Sequence, residues 1–351
     1  MDQIIKKITE SFSSKKIEIE DDELYFSDPA YRTIPFSKEN FHHARKEASK
    51  IKVAFIDGGN SEIISTPSHT VNFIRIHHTI FNNFTKIKSI TTEFFSEVFL
   101  EQKNNKMHFR TKIHPMKNSF GLPSEKDLVF SIEDETLKDG IFNTGIKKIA
   151  GIIRRFSELS CACEIIRTDL DKGDMIVLDG TLQQSVTNED VYLNKLLELG
   201  NENHVLITGL AKTTTLVTKK GNPVSAVLEK LSEERDDIWY YHPSVAINKK
   251  SHPADIYFVR LHKDSGFIFR FEIYKKQNMI NVEKVIGNLA LMSQDPVFLG
   301  YPYGLIDADS FARVSDEEAK FLNLRFRMIS KEVQKQEKTN SAHAVLDNIK
   351  F

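Results

Sequence analysis

Cysteine is scarce in this chain: only Cys161 and Cys163 occur, two positions apart. On a helix they would face different directions, so no disulfide is expected between them, and a reduced, cytoplasmic protein is the default. No Cys/His cluster of the zinc-binding kind exists either. Long apolar runs are also missing. None approaches the roughly 20 residues that span a bilayer, and the opening MDQIIKKITESFSSKK lacks the apolar stretch of a signal peptide. No membrane contact is expected. Nor is there an excess of charge of one sign. The 48 Lys and Arg against 49 Asp and Glu leave a formal net charge of −1. The molecule as a whole is therefore not a polycation drawn to nucleic acid. Binding of that kind would need local patches, metals or a partner. No GxxxxGK[ST] loop is present, so the chain has no P-loop motor of its own.

What is there is the composition of an ordinary folded protein, 40% hydrophobic and 28% charged over 351 residues. No repeat, low-complexity tract or linker divides it, so one α/β domain is the simplest organisation. Residues 1–13 read as an amphipathic helix with Ile4, Ile5 and Ile8 on one side. Strands are expected at 51–57 and 69–81, then in TTEFFSEVFLEQK and NKMHFRTKIHP, joined by a turn at Asn104–Asn105. A helix over 145–166, capped by Thr144, carries the apolar stripe Ile146, Ile149, Ile153, Phe156, Leu159, Cys163 and Ile166. DMIVLDGTL reads as a strand buried on both faces, and HVLITGLAKTT as another ending on Lys212. Helices follow at 189–199 and 224–235. A hairpin around Asp264-Ser265-Gly266 sets Phe267, Phe269, Phe271 and Ile273 on one face. Helices at 282–292, 307–313 and 316–335 close the chain, with a polar, frayed tail from Gln334. Strands grouped first and then alternating with helices predict a mixed sheet with helices on its faces.

Two strands end on a carboxylate followed by glycine: IKVAFI before Asp57-Gly58-Gly59, and MIVL before Asp179-Gly180. In an open α/β sheet, ligands sit beyond such strand ends. Glycine lets the turn bend and lets a ligand approach the backbone. Side by side, the two aspartates would repel unless a cation lay between them, and hard oxygen donors suit Mg²⁺ or Mn²⁺. Asp-Gly is also an ordinary turn dipeptide, and each could be no more than that. Glu158 lies beside the apolar stripe of its helix, sharing its own face with Gly151, Ala162 and Ile165. It is a third possible ligand, or else a surface acid paired with Arg154 or Arg155. Lys212 at a strand end can contact a phosphate or simply snorkel. Asp307 and Asp309 either favour a helix dipole or close the same site as a late ligand or base. No histidine is read as a metal ligand, neither the pair His77-His78 nor His252 and His262.

The pieces FIDGG, RRFSEL, VLDGTL, GLAKT, YFVRL and GYPYGLIDAD, in this order over about 50–315, resemble the NurA family of nucleases. The resemblance implies an RNase H-like α/β fold: a mixed sheet flanked by helices, a nuclease domain at 46–315, a helical extension at 1–45, and a C-terminal helix and tail at 316–351. It implies a Mn²⁺-dependent (or Mg²⁺-dependent) nuclease, a 5′–3′ exonuclease and endonuclease acting on DNA ends and single strands. It also implies a homodimer working with a hexameric HerA-type ATPase in DNA end processing or defence. Carried over by position, the catalytic and metal-holding acids are Asp57, Glu158 and Asp179, with Lys212 and Tyr257 as further catalytic residues. Asp309 takes the place where the family has a histidine, as a fourth metal ligand. The implied mechanism is two-metal hydrolysis, with ions about 3.5–4 Å apart. Two other readings stay open: a catalytically silent NurA-like subunit docked on an ATPase ring, and an ATPase of the actin-like fold, in which Asp-Gly-Gly cradles phosphates.

Overall fold

The strand that opens the Asp-Gly-Gly piece does not stop there. In this computed structural model it runs as β1 (Lys52–Ser65) straight through Asp57, Gly58 and Gly59. The expected strand end at Asp57 is therefore corrected to a position in mid-strand. The reason is pairing: β2 (His69–Asn82) runs antiparallel to β1 over nearly its whole length, with Asp57 opposite His77 and Gly58 opposite Ile76. A continuous ladder overrides the turn preference of Asp-Gly. The structure describes residues 1–14, 17–48, 50–139, 142–143, 145–277 and 281–330. Thr144, expected as a helix cap, and the tail from Gln334 lie outside the described residues.

The chain forms two compact units. One comprises Ser49–Gly209 and Tyr303–Phe351; the other comprises Met1–Ala48 and Leu210–Pro302. Both draw on the stretch 46–315. In the first, β3 (Thr85–Lys103) pairs antiparallel with β2, and β4 (Lys106–Lys117) with β3. The β3–β4 turn is Asn104–Asn105, both at positive φ, as a two-residue hairpin turn requires. A short β5 (Val129–Ser131) follows on β4. Next come helix α1 (Lys147–Thr168), strand β6 (Met175–Asp179), helix α2 (Glu189–Glu202) and strand β7 (Leu206–Ala211). β6 lies parallel to β1, and β7 is the next neighbour. The order β3-β2-β1-β6-β7, three antiparallel strands and then a strand parallel to the first, is the RNase H-like arrangement, so the fold is α/β with a mixed sheet. α1 buries the expected stripe from Ile149 to Ile166. Helix α3 (Tyr303–Ala312) and helix α4 (Asp316–Ile329) complete this unit. Ser315 caps α4 by accepting the Glu318 amide.

Successive residues of a strand face opposite sides of the sheet, and the two glycines of β1 use this. A Cβ on Gly58 would lie 2.6 Å from Glu158 Oε1 and 2.7 Å from Arg154 Cγ, both on α1. A Cβ on Gly59 would lie 2.1 Å from the Ala312 carbonyl oxygen at the end of α3. Helices therefore cover both faces of β1, and a side chain at either glycine would collide with one of them.

The second unit holds an antiparallel sheet of Phe41–His43, Trp239–Tyr241, Ala254–Arg260 and Phe269–Tyr274. Its core gathers Leu24, Phe41, Val227, Trp239, Tyr241 and Phe258. The predicted hairpin is present, but its strands are further apart in sequence than expected, and Phe267 lies outside them, 53% exposed. The helix Asp2–Ser14 leaves Ile4, Ile5 and Ile8 exposed. Among the described residues no helix is long and apolar enough to cross a membrane.

Candidate active site

Parallel pairing of β6 with β1 sets Leu178 beside Ile56, so the next residues, Asp179 and Asp57, occupy one rung of adjacent strands. Asp179 is the last residue of β6, and Gly180 turns the chain away at φ +112°, a conformation suited to glycine. Strand alternation places Asp57 on the face it shares with Phe55 and Gly59, the α3 face. Asp57 is buried, and its Oδ1 accepts the Gly58 amide at 2.7 Å.

Glu158 approaches β1 from α1, on the other face of the sheet from Asp57. It too is buried, in the gap that Gly58 leaves. Burial pushes its carboxyl up to about 7. Arg154 and Arg155 pull it down, while Asp57 and Asp179 push it further up, so all three acids share one electrostatic neighbourhood. The pairing with Arg154 and Arg155 weighed from the sequence is real, at 3.7 Å and 3.9 Å, but it occurs in a buried setting. Arg154 Nη1 donates to the Gly58 carbonyl at 2.8 Å. Arg155 donates to the Thr181 carbonyl at 2.7 Å and to Glu189 at 3.1 Å. Each arginine thus holds the backbone just beyond one of the two aspartates.

As donors, three carboxylates fit a hard divalent cation, whose charge would offset the one that burial and mutual repulsion penalise. In the present arrangement no three His, Cys, Asp or Glu side chains converge as a metal-holding group among the described residues. The faces explain this: Asp57 points to the α3 side, while Glu158 reaches in from the α1 side and is held by arginines.

The NurA domain family matches residues 51–314 of this sequence. The chain belongs to the NurA family. That match takes in every piece of the resemblance, from FIDGG to GYPYGLIDAD. No curated protein gives a significant match. Among solved structures, the NurA nuclease of Sulfolobus solfataricus is similar at 14% identity, covering 85% of this chain and 89% of that one, with a TM-score of 0.48. Endonuclease V of Bacillus subtilis is similar at 13% identity over 84% of this chain and 90% of that one, with a TM-score of 0.32. The catalytic domain of human endonuclease V follows at 9% identity over 78% and 88%, with a TM-score of 0.34.

The other residues singled out from the sequence lie as follows. Asp309 lies in mid-helix on α3, where its carboxylate pairs with Arg313 at 2.7 Å. Asp307 is buried and accepts from Lys86 at 2.6 Å. The helix begins at Tyr303, just after Pro302, so neither aspartate stands at its N-terminus. Lys212 and Tyr257 belong to the other unit. Lys212 follows directly on β7, with its ammonium 5.9 Å from the centre of the Tyr301 ring. Tyr257 stacks on His242 at 4.4 Å, and burial raises its hydroxyl to about 12. Sequence reasoning missed Glu189, a buried acid at the start of α2 that accepts from Arg155 and from the amides of Ser185 and Val186. Its only signal was its place after Asn188, where it reads as an ordinary first-turn acid.

Proposed function

We propose that this protein is a metal-dependent nuclease that hydrolyses phosphodiester bonds in DNA. The observation that carries the reading is the shared rung of Asp57 and Asp179 in an RNase H-like sheet, with Glu158 buried beside it, in a chain of the NurA family. The Sulfolobus relative is called a nuclease. Asp57, Glu158 and Asp179 would hold Mn²⁺ or Mg²⁺. When bound, such ions lower the pKa of a water and stabilise the charge that develops on phosphorus and on the leaving oxygen. The chain's own contribution is to fix the acids. β1 and β6 hold the two aspartates by backbone pairing, not by loop contacts, and the arginine pair holds Glu158 between them. The roles given to Lys212, Tyr257 and Asp309 rest on the family resemblance, as do action on ends and single strands, a homodimer, and partnership with a hexameric HerA-type ATPase. The lack of a P-loop fits a nuclease whose directional movement along DNA comes from another protein.

The test is incubation of the purified protein with end-labelled single- and double-stranded DNA in Mn²⁺, Mg²⁺ or EDTA, with and without the cognate ATPase. Cleavage in either metal and none in EDTA is expected. No cleavage in any metal, with the ATPase bound, would replace this reading with that of a silent docking subunit.

A further inference from the structure

We propose that Arg154 binds a phosphate of the substrate at this site, while its neighbour Arg155 acts behind it as a positioning residue. The proposal rests on the nuclease reading above. The two arginines are adjacent on α1 but differ in what surrounds them. Arg155 has a side chain only 18% exposed and is committed on three sides: Glu189 at 3.1 Å, the Thr181 carbonyl at 2.7 Å and Glu158 at 3.9 Å. Glu189 is itself buried and fixed by backbone amides, so Arg155 braces the segment after Asp179 against α1.

Arg154 has a side chain 40% exposed and is anchored by one hydrogen bond, to the Gly58 carbonyl. Its Nε is buried with no hydrogen-bond acceptor, and Glu158 Oε1 at 3.7 Å is beyond hydrogen-bonding distance. Its stem lies over Gly58, close enough that any side chain there would strike it. A guanidinium is therefore held at the residue after Asp57, reaching solvent, with donor capacity left over.

Three carboxylates in one electrostatic neighbourhood repel a phosphodiester. An incoming strand needs positive charge at the mouth of such a site besides any metal. A planar guanidinium meets two phosphate oxygens at once, which a lysine ammonium cannot do. Arg154 is placed for this and Arg155 is not.

The test measures binding of a fluorescent single-stranded oligonucleotide in Ca²⁺ over a range of salt, with the product checked at the end of each titration. Wild type, Arg154→Gln, Arg154→Lys and Arg155→Gln are compared, each with its melting temperature. Arg154→Gln should weaken binding several-fold and lower the slope of log K against log salt by about 0.7, the value for one phosphate contact on a single strand. Its melting temperature should stay near that of wild type. Arg154→Lys should restore the slope but only part of the cleavage rate in Mn²⁺, where Arg154→Gln should lose roughly a hundredfold. Arg155→Gln should instead lower the melting temperature. An Arg154→Gln protein with wild-type affinity and slope would overturn the proposal, as would one whose loss of binding only accompanies a fall in melting temperature. Failure of the nuclease reading would show separately, as wild-type protein that binds DNA but never cleaves it.

Discussion

Asp57 and Asp179 stand on the same rung of two parallel strands, one residue beyond the paired Ile56 and Leu178. Strand spacing of roughly 4.8 Å keeps their backbones close whatever their side chains do. Two carboxylates so placed repel one another, and a cation between them offsets that repulsion. Asp179→Asn should therefore melt at or above the wild-type temperature in EDTA. Mn²⁺ should raise the wild-type melting temperature by several degrees, since a ligand at a hundred times its Kd adds about 2.7 kcal/mol. The same ion should do little for Asp57→Asn or Asp179→Asn. Scanning calorimetry in Mn²⁺ and EDTA checks this, and an equal Mn²⁺ shift in all three proteins would place the ion elsewhere.

The two glycines of β1 should fail in different ways. Gly58→Ala meets side-chain atoms of Glu158, Arg154 and Ile76, which can move. It should cost on the order of 1 kcal/mol in stability and far more in cleavage, because the atoms displaced are those of the site. Gly59→Ala meets the backbone carbonyl of Ala312, which cannot move without α3. About 3 kcal/mol or more is expected there, the upper range for overpacking. Urea unfolding of the two variants beside their cleavage rates separates the cases, and the reverse ranking would contradict this account.

Stability should fall as pH drops from 6.5 towards 4. His77 and His78 are both buried, and burial holds both rings down to about 4. Asp307 and Lys86 face His77, with Thr91, Ser89 and Phe311 against its ring. Cys161, Phe120, Lys88 and Asp169 surround His78. The unfolded chain takes up protons at these rings near pH 6.5 and the folded chain refuses them. The contribution is thus complete above 6.5 and lost as pH falls through the window. Each ring should account for about 2 kcal/mol of loss by pH 5. Urea midpoints at pH 7.5 and 5 should show His78→Leu losing about 2 kcal/mol less than wild type, and an unchanged difference would refute the assignment.

Both cysteines are free and buried in α1, and burial raises both thiols, that of Cys163 to about 11. Neither should react with a thiol-disulfide reagent at pH 8 until the protein is unfolded in guanidinium, when both should react. Prompt labelling of the native protein would contradict the packing of α1.

Much of this was legible in the sequence where local pattern and tertiary structure agree. The apolar stripe of α1, the Asn104–Asn105 turn and the Asp179-Gly180 strand end each follow from residue spacing and turn chemistry. The reading failed where long-range contacts override local preference. Asp57-Gly58-Gly59 looks like a turn, yet β2 pairs with it throughout, and the missing Cβ atoms serve two helices instead. α3 begins four residues before the expected 307 because Tyr303 and Gly304 carry little helix signal, while Gly304 is needed against the Phe55 ring. Glu189 and the division of labour between Arg154 and Arg155 depend on what lies across space from them, which no spacing along the chain reveals.

The central claim is that Asp57 stands at the centre of a metal-dependent nuclease. It is tested most directly by cleavage of end-labelled DNA in Mn²⁺ by wild type and Asp57→Ala, with both proteins shown to be folded. The account predicts cleavage by wild type that EDTA abolishes, and none by the variant. Full cleavage by Asp57→Ala would contradict it.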